Sequence, residues 1–226
     1  MTLTAFHPVH PRRPLMLQGV PLEARLFRPG EPGYRNAAAF ARQRYRAIYG
    51  ARPRISAPLL MALTDPLGRP RAVAALTPAA GRRLFLEQYL DVPLDQAVGA
   101  LAGAPVSRRQ LLEVASLAAD GSGAGRLLFI ALTALLPSLG VDWIAFTATV
   151  QVRNMFARLG LAPVCLAPAD PARLRTDAAR WGDYYRHDPR VMAGYVPPGH
   201  HTLSRAGWLH PAPGYGDPEV RHDVVA

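Results

Sequence analysis

Residues 110–139 read QLLEVASLAADGSGAGRLLFIALTALLPSL, and this stretch decides the fold class. A mostly apolar segment at 110–118 is followed by a glycine-rich turn at 120–126 and a second apolar segment at 127–139. Glycine adopts left-handed backbone conformations at little cost, so such a turn can end one element and start the next. The stretch therefore predicts a strand, a tight turn and a buried helix, a unit typical of α/β proteins.

The segments on either side predict an alternation of helices and strands. The assignments follow from helical spacing of apolar residues and from strand-forming runs between turn residues. The predicted helices cover 34–49, 95–101, 127–139 and 152–159, and the predicted strands cover 59–64, 72–77, 110–118, 142–149 and 161–167. The first two strands should form a hairpin, whereas 84–90 is too short to assign. The predicted fold class is α/β.

Proline is concentrated at the two ends of the chain. Six prolines stand between residues 8 and 32, and five stand between residues 197 and 218. Because proline lacks a backbone N–H and fixes φ, such ends are expected to be extended arms. We therefore divide the chain into an N-terminal arm at 1–33, one domain at 34–196 and a C-terminal extended arm at 197–226.

The composition excludes several classes of enzyme. All 26 basic residues are arginine, so chemistry that needs a Schiff-base lysine or a phosphate-loop lysine is ruled out. The single cysteine, Cys165, excludes an internal disulfide framework and zinc sites built on two or more cysteines. No metal site is predicted.

The sequence also bears on location. The first thirty residues contain no apolar stretch long enough for a signal peptide. Pro137, Gly140 and Asp142 break the apolar region 127–146 into a helix, a turn and a strand, so it is not expected to span a membrane. We predict a cytoplasmic protein with no transmembrane segment.

The net charge of +10 narrows the choice of partners. The arginines are spread as pairs, such as Arg82 and Arg83, without a basic run of five or an interleaved aromatic ladder. Specific nucleic-acid binding is therefore not expected. An acidic protein partner or an anionic surface is consistent with the charge.

The glycine-rich turn is a candidate phosphate cradle. Backbone amides at the start of a helix bind phosphate when no side chains block the approach. The residues in question are Gly121, Ser122, Gly123, Ala124, Gly125 and Arg126. The G-x-G-x-G spacing is not a dinucleotide fingerprint. The glycines could equally be needed only for the backbone conformation of the turn, without a ligand.

Several further motifs carry a resemblance to a known family. They are LEVASLA at 112–118, WIAFTAT at 143–149, RNMFARLGLAP at 153–163, FLEQYL at 85–90, APAD at 167–170, WGDYY at 181–185 and PRV at 189–191. Together with the glycine turn, they make residues 34–196 resemble the thermostable hemolysin family. That family is similar to the GNAT acyltransferase superfamily and to its acyl-homoserine lactone synthase branch.

The resemblance implies a GNAT-like domain with a mixed, splayed central sheet flanked by helices. An acyl thioester would bind between the strand ending at Ala118 and the strand ending at Thr149. The phosphate motif of the superfamily would fall on Asp120, Gly123 and Gly125, where Asp120 departs from the usual arginine or glutamine.

An aspartate at this position would repel the pyrophosphate of coenzyme A. The departure therefore favours the phosphopantetheine arm of an acyl carrier protein as donor, with acyl-CoA as the alternative. Carrier proteins are acidic, which would suit the net charge. Asp120 could instead be a turn or cap residue.

Glu113 is the candidate general base, because a carboxylate within an apolar strand is costly unless it is used or satisfied. Pairing with an arginine is the structural alternative. A splayed or bulged strand near residues 115–117 could supply amide donors to an oxyanion, and Ser116 and Leu117 are candidates for binding the donor. Glu87 and Tyr89 are candidates for binding the acceptor, although Glu87 could also be solvated.

Other candidates follow from comparison with the superfamily. Its members often carry a proton-donating tyrosine in the helix after the second splayed strand, and residues 154–161 contain none. Tyr184 and Tyr185 could replace it, or could form a packing stripe with Trp181. Phe146, Thr147 and Thr149 could line the acyl or acceptor pocket. Asn154 could hold the pantetheine arm or cap a helix.

These observations predict an N-acyltransferase that moves an acyl group from a carrier-protein or coenzyme A thioester to an amine such as an amino acid. One alternative is a signal synthase of the homoserine lactone type that uses S-adenosylmethionine. Another is a non-enzymatic, membrane-active hemolysin. The sequence leaves a homodimer open.

Overall fold

The computed structural model describes residues 15–121, 123–174 and 178–209, which form an eight-stranded sheet with five α-helices. The strands are β1 (Leu15–Leu17), β2 (Val20–Phe27), β3 (Leu59–Thr64), β4 (Pro70–Pro78), β5 (Leu111–Ala119), β6 (Trp143–Ala148), β7 (Val164–Pro168) and β8 (Arg190–Tyr195). The helices are α1 (Pro32–Tyr49), α2 (Leu94–Ala102), α3 (Ala124–Leu135), α4 (Val150–Arg158) and α5 (Val196–Arg205). The strand order is β1-β2-β3-β4-β5-β6-β8-β7.

The elements predicted in the centre of the chain are present. The hairpin of β3 and β4 is antiparallel, and β5, the glycine turn and α3 follow one another as expected. The predicted helix at 127–139 is divided, because α3 ends at Leu135 and a 3-10 turn covers Leu136–Leu139. The unassigned segment at 84–90 contains a 3-10 turn at Leu86–Tyr89.

The expectation of an extended N-terminal arm is wrong for residues 15–33. β1 and β2 form an antiparallel hairpin, and β2 pairs with β3 from Glu23↔Thr64 to Phe27↔Leu60. α1 begins at Pro32, where the first turn of a helix tolerates a missing N–H. Without β2, the hydrogen-bonding groups of β3 would form an open sheet edge. Residues 1–14 of the predicted arm lie outside the described residues.

The expected C-terminal arm is also wrong for its described part. Residues 196–205 form α5, whose first turn accommodates Pro197 and Pro198. Leu203 of this helix and Leu209, which follows it, are buried in the core. Strand β8, which the sequence did not predict, lies between β6 and β7. Residues 210–226 lie outside the described residues.

The two faces of the sheet are covered by different elements. α3 is buried on nearly every side and packs on one face together with α5 and the aromatic rings of Phe146 and Phe156. α1 covers β3, β4 and β5 on the opposite face, and the segment 84–98 covers the neighbouring part of that face. Glu113 belongs to this second face, because alternate residues of a strand point to opposite sides.

The sheet opens between β5 and β6. Their parallel pairing runs only from Leu111↔Trp143 to Val114↔Phe146, although β5 continues to Ala119 and β6 to Ala148. β5 also bulges against β4 between Ala115 and Ala118, where Ser116 has a positive φ of 50°. A bulge bends its strand, and here it accompanies the parting of the two strands. The predicted mixed, splayed sheet is therefore confirmed.

Candidate active site

Glu113 lies in β5 one residue before the two strands part. Its side chain is buried, with 4% of the residue exposed. Its oxygens accept hydrogen bonds from the backbone N–H of Phe85, at 3.1 Å, and of Leu86, at 2.9 Å. Within the described residues it forms no ion pair, so the alternative of an arginine partner is wrong.

The environment of Glu113 raises its pKa. Burial disfavours the charged form and brings the pKa to about 7, although the amides of Leu86 and Phe85 oppose the shift. The negative charge of Glu87 adds to the rise. A carboxylate with a pKa near neutrality is well suited to accept and release a proton.

Glu87 has a different environment from the one predicted. It is buried, and its carboxylate accepts hydrogen bonds from the N–H groups of Leu84, at 2.7 Å, and Leu94, at 2.8 Å. Arg108 donates to both of its oxygens, at 2.7 and 3.2 Å, and also contacts Asp95 at 2.7 Å. Because these bonds occupy the carboxylate, neither acceptor binding nor exposure to solvent describes Glu87. It fixes the segment whose amides hold Glu113.

The predicted tyrosines lie on the Glu113 face but differ in their partners. The hydroxyl groups of Tyr89 and Tyr185 are hydrogen-bonded at 2.7 Å. Tyr184 is buried, and its ring packs against Tyr49 and Trp181, each with centroids at 5.2 Å. Burial raises the pKa of Tyr184 well above its usual value. Tyr184 therefore fits the alternative prediction, in which it packs with Trp181 rather than acting in catalysis.

The glycine turn has a clear structural role. Gly121 and Gly123 have φ values of 94° and 95°, and α3 begins directly after them at Ala124. Left-handed positions of this kind favour glycine regardless of ligand. Gly125 packs beneath the turn near Ala119 and Met155. Ser122 lies outside the described residues, and phosphate binding here stays a prediction.

The charged residues beside the turn have protein partners. Asp120 forms an ion pair with Arg71. The positive charge of Arg71 therefore offsets part of the repulsion expected between Asp120 and a donor phosphate. The guanidinium of Arg126 lies 5.5 Å from the ring centroid of Trp208, a cation–π geometry.

The pocket candidates on β6, α4 and the bulge of β5 differ in how deeply they are buried. Phe146 is fully buried and stacks on Phe156, with ring centroids at 4.9 Å. Thr147 is half-buried, whereas Thr149 is 3% exposed and its Oγ1 has no hydrogen-bond partner among the described residues. Asn154 is exposed in the middle of α4, so it does not cap that helix. Ser116 and Leu117 are half-buried at the bulge.

Two clefts were not predicted from the sequence. An apolar cavity of about 450 Å³ lies on the α3 side, lined among others by Thr133, Leu136, Ile144, Phe146, Phe156 and Leu161. A second cleft, of about 620 Å³, runs between α1 and the segment 51–55, and we call it the arginine cleft. Its basic lining residues are Arg42, Arg46, Arg52, Arg54 and Arg180. They are dispersed in the sequence, so no basic run indicated the cleft.

Within 15–121, 123–174 and 178–209, no helix is long and apolar enough to cross a membrane. No group of three or more metal-ligating side chains occurs in the same ranges.

Several solved structures have a similar fold. The chain superposes on the AHL synthase LasI with a TM-score of 0.57 at 13% identity, covering 86% of this chain and 100% of LasI. For FeeM, an N-acyl amino acid synthase from uncultured soil microbes, the TM-score is 0.52 at 15% identity, covering 83% and 96%. For BjaI, a CoA-dependent acyl-homoserine lactone synthase with SAM and isopentyl-CoA, it is 0.54 at 10% identity, covering 83% and 90%. The predicted GNAT-like fold is confirmed.

Sequence comparison adds the family. No curated protein matches the chain. The profile of one family, described as thermostable hemolysin, matches residues 27–200. This match spans the sheet from the end of β2 to α5, including β5, the glycine turn and Glu113. The chain belongs to the thermostable hemolysin family.

Proposed function

We propose that this protein is an N-acyltransferase that moves an acyl group from a carrier-protein thioester, or from acyl-CoA, to an amine such as that of an amino acid. The observation that carries the proposal is Glu113. It combines burial, a pKa of about 7 and a position where two strands of the sheet part. Aminolysis of a thioester needs a base of this kind next to the reacting carbon.

The proposed chemistry assigns one task to each group. Glu113 accepts the proton that the attacking amine must lose. The amine nitrogen bonds to the thioester carbon, and negative charge develops on the carbonyl oxygen. The C–S bond then breaks with its electron pair on sulfur, the carbonyl re-forms, and the sulfur takes up a proton from water and leaves as a thiol. The bulge at Ser116 and Leu117 turns the backbone at the opening, which supports the proposal that amides there stabilise this charge.

The apolar cavity supports a donor chain longer than acetyl. Its volume of about 450 Å³ is within the usual range for small-molecule sites. Phe146, predicted as a pocket residue and the last residue of β6 that pairs with β5, is one of its walls. We propose that the cavity holds the acyl chain while Thr147 lines the opening.

The arginine cleft supports a carrier protein as donor partner. Arg42 and Arg46 are exposed on α1, and they form no ion pair with a carboxylate inside the described ranges. Such a cleft suits an acidic protein surface, because complementary charge speeds association. BjaI is described as CoA-dependent, so both donor classes belong in the test. A cytoplasmic location and a homodimer remain proposals.

Intact-mass spectrometry tests the function directly. Acyl carrier protein and acyl-CoA are each incubated with the protein and a pool of amino acids, polyamines and S-adenosylmethionine. We expect amine-dependent loss of the acyl group from at least one donor. Glu113→Gln should reduce the rate by about 10²–10⁴-fold, the usual contribution of general base catalysis. Glu23→Gln, at an exposed glutamate, is the matched control.

The same experiment addresses the alternatives. Deacylation only with S-adenosylmethionine would assign the signal-synthase reaction instead. If neither donor is deacylated under any condition, the proposal is wrong. Dye release from liposomes by the protein alone would then favour the hemolysin alternative, although the most apolar helix, α3, is buried on nearly every side.

A further inference from the structure

A third cleft, of about 580 Å³, lies beside the start of α2, and we call it the α2 cleft. It is lined by three arginines, three carboxylates and an apolar strip. Arg108, one of the three arginines, belongs to the 3-10 turn that leads into β5. β5 and β6 are paired from Leu111 to Val114. Arg108 therefore lies before one end of the paired stretch, whereas the opening between the strands lies at the other.

The floor of the α2 cleft is a guanidinium whose donors are all in use. Arg108 donates from Nε to the carbonyl oxygen of Ala79 at 3.1 Å. Nη1 donates to Glu87 and to Asp95, each at 2.7 Å. Nη2 donates to the carbonyl oxygen of Arg82, at 2.7 Å, and to Glu87, at 3.2 Å. A guanidinium has five N–H donors, so Arg108 fixes the walls of the cleft and has no donor left for a ligand.

The carboxylates of the cleft have arginine partners, whereas two of its arginines are free. The two carboxylates just described contact Arg108, and Asp91 pairs with Arg173 at 2.7 Å. Arg82 and Arg83 are exposed, and within the described residues their side chains form no ion pair or hydrogen bond. Neighbouring guanidinium groups suit a carboxylate, because their forked donors match its two oxygens. The free groups of the cleft therefore favour an anionic ligand.

An apolar strip lies in the same cleft as these arginines. Val92 is 44% exposed, Pro93 is also exposed, and both line the cleft together with Leu90. Ligand sites commonly combine an apolar wall with a few polar groups that fix the orientation of the ligand. An inorganic anion would leave the strip uncovered. The cleft therefore suits a carboxylate that carries an apolar tail.

The cleft is connected to Glu113 through the backbone. Arg83 directly precedes residues 84–86, whose three N–H groups donate to Glu87 and Glu113 at 2.7–3.1 Å. Only one to three residues separate Arg83 from these donors. A ligand held by Arg82 and Arg83 therefore bears directly on the segment that positions Glu113.

Charge in the cleft also reaches Glu113. Glu87 is a wall of the cleft, and its negative charge contributes to the raised pKa of Glu113. A bound carboxylate would add a negative charge on the same side and would offset the charges of Arg82 and Arg83. Because a negative neighbour favours the protonated form of a carboxyl, less of Glu113 would be ready to accept a proton.

We propose that the α2 cleft is a second ligand site, which binds a small carboxylate with an apolar tail through Arg82 and Arg83 and thereby lowers the transfer rate. Two sources have this chemistry. One is a short fatty acid, and the other is an N-acyl amino acid, the product of the proposed reaction. Binding at the cleft does not depend on the proposed function, whereas the effect on the rate rests on it.

Isothermal titration calorimetry tests the binding, with hexanoate and N-hexanoylglycine as the two probes. We expect at least one probe to bind, and Arg82→Gln/Arg83→Gln to weaken it by about ten-fold or more. Arg158→Gln/Arg205→Gln, at exposed arginines of α4 and α5, makes the same change in net charge and should bind as the wild type does. Val92→Ser should weaken the binding of hexanoate more than that of acetate. The probe that binds more tightly identifies the source.

Two binding results would overturn the proposal. One is that neither probe binds the wild type. The other is that Arg82→Gln/Arg83→Gln binds as tightly as the wild type, which would place the probe elsewhere, for example in the apolar cavity. Thermal melting of each variant shows whether a weaker signal comes from a loss of folded protein.

The transfer rate from an acyl-pantetheine, measured with and without the bound probe, tests the effect on catalysis. We expect the probe to lower the rate of the wild type by about three-fold and to have little effect on Arg82→Gln/Arg83→Gln. An equal fall in both proteins would indicate competition at the active site and would overturn the regulatory role, as would binding without any change in rate. If no donor is deacylated, the proposed function fails, and calorimetry alone still decides whether the cleft is a ligand site.

Discussion

Glu113 and Glu87 are two buried glutamates on the same face of the protein, and each accepts hydrogen bonds from two backbone amides. They differ in one partner, because Arg108 contacts both oxygens of Glu87 and no arginine contacts Glu113 within the described residues. Burial tends to raise the pKa of both carboxyls. The Arg108 contacts and the amides outweigh it for Glu87, whose pKa is lowered, whereas that of Glu113 rises to about 7.

The comparison shows how one residue type takes on two tasks. The arginine keeps Glu87 charged, so that carboxylate can organise the segment from Leu84 to Leu94. The amides of Phe85 and Leu86, within that segment, hold Glu113 in place without a counter-charge. Glu87 thus stabilises the segment that holds Glu113, and Glu113 keeps a pKa that is useful for catalysis.

The largest expected effect comes from removing the arginine. Arg108→Met leaves the Glu87 charge buried without its counter-ion, and breaking such a pair typically costs about 3–5 kcal/mol. We expect the free energy of unfolding in urea to fall by about that amount. Activity should fall as well, because the segment that holds Glu113 is loosened.

Two further variants make this prediction specific. Arg25→Met removes an exposed partner of Glu23, and exposed pairs contribute only about 0–1 kcal/mol. Adding Glu87→Gln to Arg108→Met should recover part of the lost stability, since it removes the stranded charge. If Arg25→Met and Arg108→Met cost the same, the contrast between the two glutamates is wrong.

A second prediction concerns the pH dependence of stability. Because the pKa of Glu113 is raised in the folded state, its contribution to the free energy of unfolding is fully present below its unfolded pKa, near pH 4.5, and is lost as the pH rises to about 7. The loss amounts to roughly 3 kcal/mol. Glu87 has a lowered pKa, so its contribution is present above its ordinary pKa and is lost as the pH falls.

Urea titrations of the wild type and Glu113→Gln at pH 5 and pH 8 measure this difference. The wild type should lose about 2–3 kcal/mol relative to the variant between the two pH values. Its transfer rate should rise over the same interval, as the base becomes ionised. Parallel stability curves for the two proteins would contradict the raised pKa of Glu113.

The sequence predicted most of the fold because local patterns determine it. Alternating and helical spacings located β3, β4, β5 and α1. The hairpin at residues 15–27 and strand β8 were missed, because proline near the first and Gly194 within the second weaken local strand patterns. What makes them strands is pairing with distant parts of the sheet.

The site was predictable to a similar extent. A carboxylate inside an apolar strand singled out Glu113 without any structure. Its amide partners carry no side-chain signal, and Arg108 is 21 residues from Glu87 in the sequence. Thr149 Oγ1 is buried without a hydrogen-bond partner among the described residues, and its surroundings come from long-range packing. Such long-range relations cannot be read from local spacing.

A third prediction tests the arginine cleft. Reversing two charges with Arg42→Glu and Arg46→Glu should raise KM for an acyl carrier protein by about ten-fold at low salt, through slower association. KM for an acyl-pantetheine should not change, because it lacks the acidic protein. Arg158→Glu/Arg205→Glu, at exposed arginines of α4 and α5, makes the same change in net charge and is the control. An equal rise in KM for both donors, or for the control, would exclude docking at the cleft.

The smallest change in the free energy of unfolding is expected for the ion pair of Asp120 with Arg71. Its carboxylate is more exposed than that of Glu87 in the pair with Arg108. The two side chains are 20% and 27% exposed, so water screens their attraction. Arg71→Met should therefore reduce the free energy of unfolding by at most about 1 kcal/mol. The stronger consequence is electrostatic, because the positive charge of Arg71 no longer offsets the Asp120 carboxylate beside the glycine turn. KM for acyl-CoA, whose phosphates are more numerous, should rise more than KM for the carrier protein. Arg71→Met/Asp120→Asn should remove this difference, and its persistence in the double variant would show that Asp120 does not discriminate between donors.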